Sequence, residues 1–267
     1  MLRGIDHIVI VVNDLEIAIA DYGALGFTVV RGGRHPGLGT HNALIAFADG
    51  AYLELIAFIP PVAPTPHWWH STLADGGGLA DFCAVSDDMD AEVEAFRHAG
   101  AAIGAPFEMS RERPDGYRLV WTLAVTEDAR RGITPFFIRD HTPRDERVPR
   151  DERVPRARTH RNGAAGARVL ALAIGETEFD AARRIYEVAL GRTGETVERA
   201  DLGGAGVRFM IGPHELQLLA LTDPAGAIAR RLRTRGGSPI ELTLRTAGGW
   251  RGMLDAAGTH GARIVMA

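Results

Sequence analysis

The chain has 267 residues, 46% of them hydrophobic and 24% charged, with a formal net charge of −4 and one cysteine. That balance is ordinary for a globular protein and offers nucleic acid or an anionic membrane no basic surface. A lone cysteine excludes an internal disulfide, no apolar run nears the roughly 20 residues of a membrane span, and the N-terminus has no signal-peptide pattern, so a cytoplasmic location is expected.

The chain opens on an apolar strand pattern, Gly4-Ile5-Asp6-His7-Ile8-Val9-Ile10-Val11, followed by Asp14 and a helical stretch that closes at Leu25-Gly26. Phe27 to Arg31 is β-rich, a glycine-rich loop runs from Gly32 to Thr40, and two apolar runs, Asn42 to Ala48 and Tyr52 to Ile59, are split by Asp49-Gly50. Asp-Gly between two such runs signals a hairpin. The unit reads strand–helix–strand–strand–strand.

Residues 78–100 repeat this grammar without a gap: Gly78 matches Gly4, Asp88 matches Asp14 and Gly100 matches Gly26. Recurrence at a fixed period marks a duplicated unit. Asp14 and Asp88 sit where a helix N-cap belongs. Strands are expected near Phe107–Arg111, Tyr117–Val125 and Ile133–Arg139, with a turn at Pro114-Asp115-Gly116. Between 140 and 160, Arg-Asp-Glu-Arg-Val-Pro occurs twice in tandem, starting at Arg144 and at Arg150. With no apolar face, it reads as an exposed linker. The plan then returns a third time, with a helix over Glu178–Leu190. A partial fourth copy comes after it, with strand Ile240–Leu244 and a helix from about Gly249 to Ala257.

The expected fold is α+β: paired βαβββ modules in curved sheets, with residues 1–142 a complete pair, 143–159 a charged linker and 160–267 a degenerate, truncated second pair. The short fourth unit leaves a sheet edge that needs cover, either from a second copy in a homodimer or from a helix over residues 224–235.

Polar residues inside apolar strands are the candidate chemistry, because burying a polar group without compensation is costly. His7 and Asp81 hold equivalent places in the two repeats. Alternation puts Glu54 on the same strand face as Tyr52 and Ile56. A fourth strand pairing with the first brings Glu54 beside His7, and a pseudo-twofold axis is expected to bring Asp81 into the same cleft. One imidazole and two carboxylates suit Fe(II), Mn(II), Zn(II), Ni(II) or Co(II). His41 and Asn42 come directly after a flexible loop, Arg113 can clamp a carboxylate, and Trp68 sits in a proline-rich segment suited to a lid; these four are expected to meet substrate.

With Asp6-His7-Ile8-Val9-Ile10-Val11, Gly39-Thr40-His41-Asn42, Tyr52-Leu53-Glu54-Leu55, Arg113-Pro114-Asp115-Gly116 and His160-Arg161-Asn162-Gly163, the chain resembles the vicinal oxygen chelate superfamily. That superfamily contains glyoxalase I and extradiol dioxygenases, and within it the chain resembles the glyoxalase-like domain family. The resemblance implies metal ligands from first and fourth strands of paired modules. These are His7, Asp81 and Glu54 here, with Glu54 also a proton shuttle and the fourth position lost to Phe136 or Phe137. It implies a divalent-metal enzyme, of lyase, isomerase or dioxygenase type, that chelates a small oxygenated molecule. A protein that sequesters a small molecule in the same cleft is the alternative. The C-terminal half places Leu172 and Gln217 at the ligand positions, so no second metal site is expected there.

Overall fold

The computed structural model describes residues 2–60, 67–148, 160–248 and 250–267. The first half contains β1 (Leu2–Val11), α1 (Leu15–Ala24), β2 (Val30–His35), β3 (Thr40–Ala46), β4 (Tyr52–Phe58) and the short α2 (His70–Ala74). The repeat comes next as β5 (Gly78–Ser86), α3 (Met89–His98), β6 (Phe107–Glu112), β7 (Arg118–Ala124) and β8 (Phe136–Asp140). The eight strands close into a barrel in the order β1-β4-β3-β2-β6-β7-β8-β5. Both repeat helices start on an aspartate cap: Asp14 accepts from the Glu16 and Ile17 amides, and Asp88 accepts from that of Ala91.

β1 is the hinge of the duplication. It runs parallel to β4, with His7 against Tyr52 and Val9 against Glu54, and antiparallel to β5, with His7 against Cys83 and Val9 against Asp81. Inward residues such as Val9, Ile56, Cys83 and Trp121 fill the barrel. Outward residues such as Ile8, Leu53 and Phe82 face the helices and the second half.

Barrel closure rests on Gly33, where β2 meets β6 through the single pair Arg34 and Glu112. Its φ is +140°, and a Cβ there would fall 1.9 Å from the Glu112 carbonyl oxygen. Gly33→Ala is therefore expected to lower stability by about 1–3 kcal/mol from backbone conformation alone. A smaller drop on thermal melting would show that the seam can open to admit the methyl.

After α4 (Arg144–Arg147), the second half contains β9 (Ala164–Ile174), α5 (Glu176–Leu190), β10 (Glu195–Arg199), β11 (Gly204–Ile211), β12 (His214–Leu221), α6 (Ala227–Arg235), β13 (Ser238–Thr246), β14 (Gly252–Met253) and β15 (Ile264–Met266). Its seven strands form one sheet, in the order β10-β11-β12-β9-β13-β15-β14. Leu170, Leu172, Leu216, Leu218 and Leu242 belong to the same core as Ile8 and Phe82, so the two halves share one apolar interior. His160, at the entry to the second half, clasps it to the first unit: it accepts from the Thr28 amide at 2.9 Å and bonds the Ala46 carbonyl at 3.0 Å. Among the described residues, no helix is long and apolar enough to cross a membrane.

Three expectations need correction. The helix at 249–257 is absent among its described residues, where short strand β14 and turns stand instead. The second strand, Val30–His35, runs from the β-rich stretch on into the segment read as a loop, because glycines at 32 and 33 let it pass close to β6. The first copy of the charged tandem is not an exposed linker: Arg147 is 2% exposed and Val148 is buried, because Asp6 and Asp140 neutralise the guanidinium. The second copy lies outside the described residues.

Candidate functional site

The barrel encloses a cavity of about 500 Å³, counting the part open to solvent. One wall is polar, with His7, His35, Asn42, Glu54, Arg111 and Arg147; Trp68, Trp69, Trp121, Phe136 and Ile138 are among the aromatic and aliphatic residues lining the rest.

The polar wall is built by strand alternation. β4 points Tyr52, Glu54 and Ile56 inward, and parallel β1 sets His7 beside them. His7 Nδ1 donates to Asp6 Oδ1 at 2.8 Å, its ring stacks on Tyr52 with centroids 4.6 Å apart, and Phe136 meets it edge-on. Those contacts fix ring and tautomer and turn Nε2 to Glu54 Oε2, 3.5 Å away. The other carboxylate oxygen accepts from Asn42 Nδ2 at 2.6 Å and lies 3.9 Å from His35 Nε2. His35 is held by Thr40 Oγ1, 3.0 Å from its Nδ1. Burial pushes the His35 imidazole down to about 4, so the ring is neutral at physiological pH. Burial acts to raise the Glu54 carboxyl, but the groups around it, the Asn42 amide and the Arg111 charge among them, outweigh it and keep Glu54 below its ordinary value.

Beneath this layer lies a neutral ionic lattice. Arg147 bonds both Asp6 oxygens, at 3.1 and 3.3 Å, Tyr52 Oη at 2.7 Å, and both oxygens of Asp140. Arg144 adds a bond of 2.8 Å to Asp6. Burial opposes ionisation of Asp6, yet Arg147, His7 and Arg144 together hold it far below the usual carboxylate range.

Chemically, the polar wall sets an imidazole nitrogen facing a carboxylate. Because Asp6 takes the Nδ1–H of His7, it is Nε2 that faces Glu54, 3.5 Å away. That approach suits a proton on Nε2 or a cation held by both groups. His35 brings a second imidazole to the other Glu54 oxygen. Two imidazoles and a carboxylate, each oriented by a second-layer partner, are a donor set suited to a divalent transition metal. A tighter group also exists: Asp6, His7 and Cys83 hold ligand atoms within 4.8 Å of one another. It is a poor cation site, since two guanidinium groups occupy Asp6 and burial holds the Cys83 thiol well above its ordinary value.

Asp81 stands apart from this group. Antiparallel pairing puts it beside Val9, two residues along β5 from the Cys83 that faces His7. Its carboxylate accepts from the Phe82 amide at 2.9 Å and lies 3.4 Å from Trp69 Nε1. Asn42 and Trp68 line the cavity, and the Arg131 guanidinium covers the Trp68 ring at 4.7 Å. His41, next to Asn42 on β3, points outward by alternation and lines a separate surface concavity with Arg113. Arg113 pairs with Asp115 and, at 2.7 Å, with Glu146. In the second half, Gln217 accepts from Arg199 at 2.9 Å, and buried Glu241 pairs with Arg199 and Arg263.

His35, Arg111 and the Asp6–Arg147 lattice are not evident from the sequence. The available signal for Arg111 was alternation in β6, where Met109 and Arg111 both point inward.

Residues 5–191 match the family model described as a glyoxalase-like domain. No curated protein matches the chain. Among solved structures, a hypothetical protein from Staphylococcus aureus is similar over 100% of this chain and 99% of its own, with a TM-score of 0.69 at 12% identity. A mutant 4-hydroxymandelate synthase from Streptomyces coelicolor is similar over 93% of this chain and 72% of its own, with a TM-score of 0.58 at 17% identity. At these identities the likeness is one of fold.

Proposed function

The chain belongs to the glyoxalase-like domain family, and from that premise we propose that its barrel cavity is the active site of a divalent-metal-dependent enzyme acting on a small oxygenated molecule. The observation that carries this reading is His7 Nε2 facing one Glu54 oxygen at 3.5 Å with His35 Nε2 on the carboxylate's other side at 3.9 Å. His7, His35 and Glu54 would hold the ion, which supplies Lewis-acid polarisation of a substrate oxygen. Asp6 fixes the His7 tautomer, and Thr40 orients His35. Asn42 holds one Glu54 oxygen; the other faces His7, and only when it is released from the ion would it accept a proton from a carbon next to the polarised group. The aromatic wall keeps water from the reacting atoms. Isomerase or lyase chemistry is the most direct use of that arrangement.

Metal content decides the matter. Protein purified without affinity-tag nickel is expected to carry a divalent ion. Chelation is expected to lower the melting temperature by about 5–10 °C, as loss of a ligand bound only by the folded state requires. His7→Ala and Glu54→Ala should each abolish the ion and the response to chelator. A wild type that is metal-free and whose melting ignores added Fe(II), Mn(II), Zn(II), Ni(II) and Co(II) would sink the metal reading. It would leave sequestration of a small molecule, which the largely apolar wall favours.

A further inference from the structure

We propose that Arg111 anchors the ligand through an anionic group, so that the cavity takes an aromatic carboxylate; this rests on the reading of the barrel cavity as the active site. Arg111 is 3% exposed and lines the cavity. Its Nη2 donates to the Arg147 carbonyl oxygen at 2.8 Å, and Nη1 lies 3.5 Å from Asn42 Oδ1. Its Nε is buried without a hydrogen-bond partner, and among the described residues no carboxylate reaches it. Arg147, its neighbour, is neutralised by Asp6 and Asp140. Glu54 acts on Arg111 only through the field, from beyond the Asn42 amide, so the buried guanidinium has no directly paired anion among the described residues, and a bound anion would supply one.

The position is prepared for that role. Gly32 lies over Arg111 and Asn42, and a Cβ there would fall 2.0 Å from Asn42 Oδ1 and 2.9 Å from Arg111 Nη1. The other walls carry Trp68, Trp69, Trp121 and Phe136, which suit a flat ring. A guanidinium facing aromatic surface selects a ring that bears a carboxylate. The competing role is internal: Arg111 touches Asn42, which bonds Glu54, and could serve only as counter-charge to that carboxylate.

Titration calorimetry separates the two. Benzoate, phenylacetate and 3-phenylpropanoate, with their neutral amides, would be titrated into the protein as purified and after treatment with EDTA. At least one carboxylate is expected to bind about 10- to 100-fold more tightly than its amide, the range of a charged hydrogen bond, under both conditions. Arg111→Gln should erase the preference and leave amide binding unchanged. Arg111→Lys should keep part of it, and decides the case if circular dichroism shows Arg111→Gln unfolded: a preference undiminished in Arg111→Lys overturns the guanidinium anchor. Equal binding of acid and amide by the wild type across the panel overturns the proposal and leaves Arg111 as counter-charge. A preference lost on chelation assigns the carboxylate to a metal, overturning the role of Arg111 while supporting the metal reading. A preference that depends on Arg111 in a metal-free protein upholds the anchor and not the metal.

Discussion

Replacing Asp6 by alanine is expected to cost about 3–5 kcal/mol of stability, measured by urea denaturation at neutral pH. The loss comes less from missing bonds than from what they leave behind. Arg147 is 2% exposed, and Asp6 is one of two carboxylates that balance it. His7 would also lose the acceptor of its Nδ1–H. Asp6→Ala combined with Arg147→Met should recover part of the loss, because the buried guanidinium goes together with Asp6, while Asp140 loses the partner of both its oxygens. The pH dependence has a definite sign. The native Asp6 carboxyl lies far below its ordinary value of 3.8, so its contribution is complete above that value and is lost as pH falls from there toward the native pKa. Wild type should therefore weaken below pH 3.8 more steeply than Asp6→Ala. Parallel curves would show that the lattice does not stabilise the fold.

This lattice also marks how far the sequence can be read. The matching of Gly4 with Gly78 and Asp14 with Asp88 is local information, and it suffices to read both modules and the strand–helix grammar of the third. Alternation within Tyr52-Leu53-Glu54 and the parallel pairing of β1 with β4 depend on the same local periodicity, so His7 and Glu54 meet as their strands imply. His35 is hidden because Gly32-Gly33 looks like a loop until β6 is known to need the space. Arg147 is hidden because a run of alternating charge looks solvated; only the chain's return across the barrel end, 141 residues after Asp6, makes it a buried cation. Asp81 turns on a detail no single strand contains, the stagger of antiparallel β5 on β1, which sets Cys83 rather than Asp81 against His7.

That stagger leads to the second large effect, because it leaves Asp81 buried beside Trp69 rather than among the site's imidazoles. Burial pushes the Asp81 carboxyl up to about 7, against the opposing influence of Arg131 and the Phe82 and Trp69 hydrogen bonds. In the unfolded chain the group releases its proton near 3.8. The native state thus holds a proton that the unfolded state has lost, and stability is complete below 3.8 and declines as pH rises toward about 7. The gap corresponds to about 4 kcal/mol. Asp81→Asn keeps the acceptor for the Phe82 amide and cannot ionise, so its stability should stay flat across this window and exceed that of wild type at about pH 8. The comparison also tests the ligand role that its place in the repeat suggested. A metal-bound Asp81 would be ionised throughout, and Asp81→Asn would then lose the ion and be the less stable protein at that pH. Urea denaturation of both proteins at about pH 5 and pH 8, with and without chelator, distinguishes a protonated acid in the barrel wall from a second carboxylate ligand.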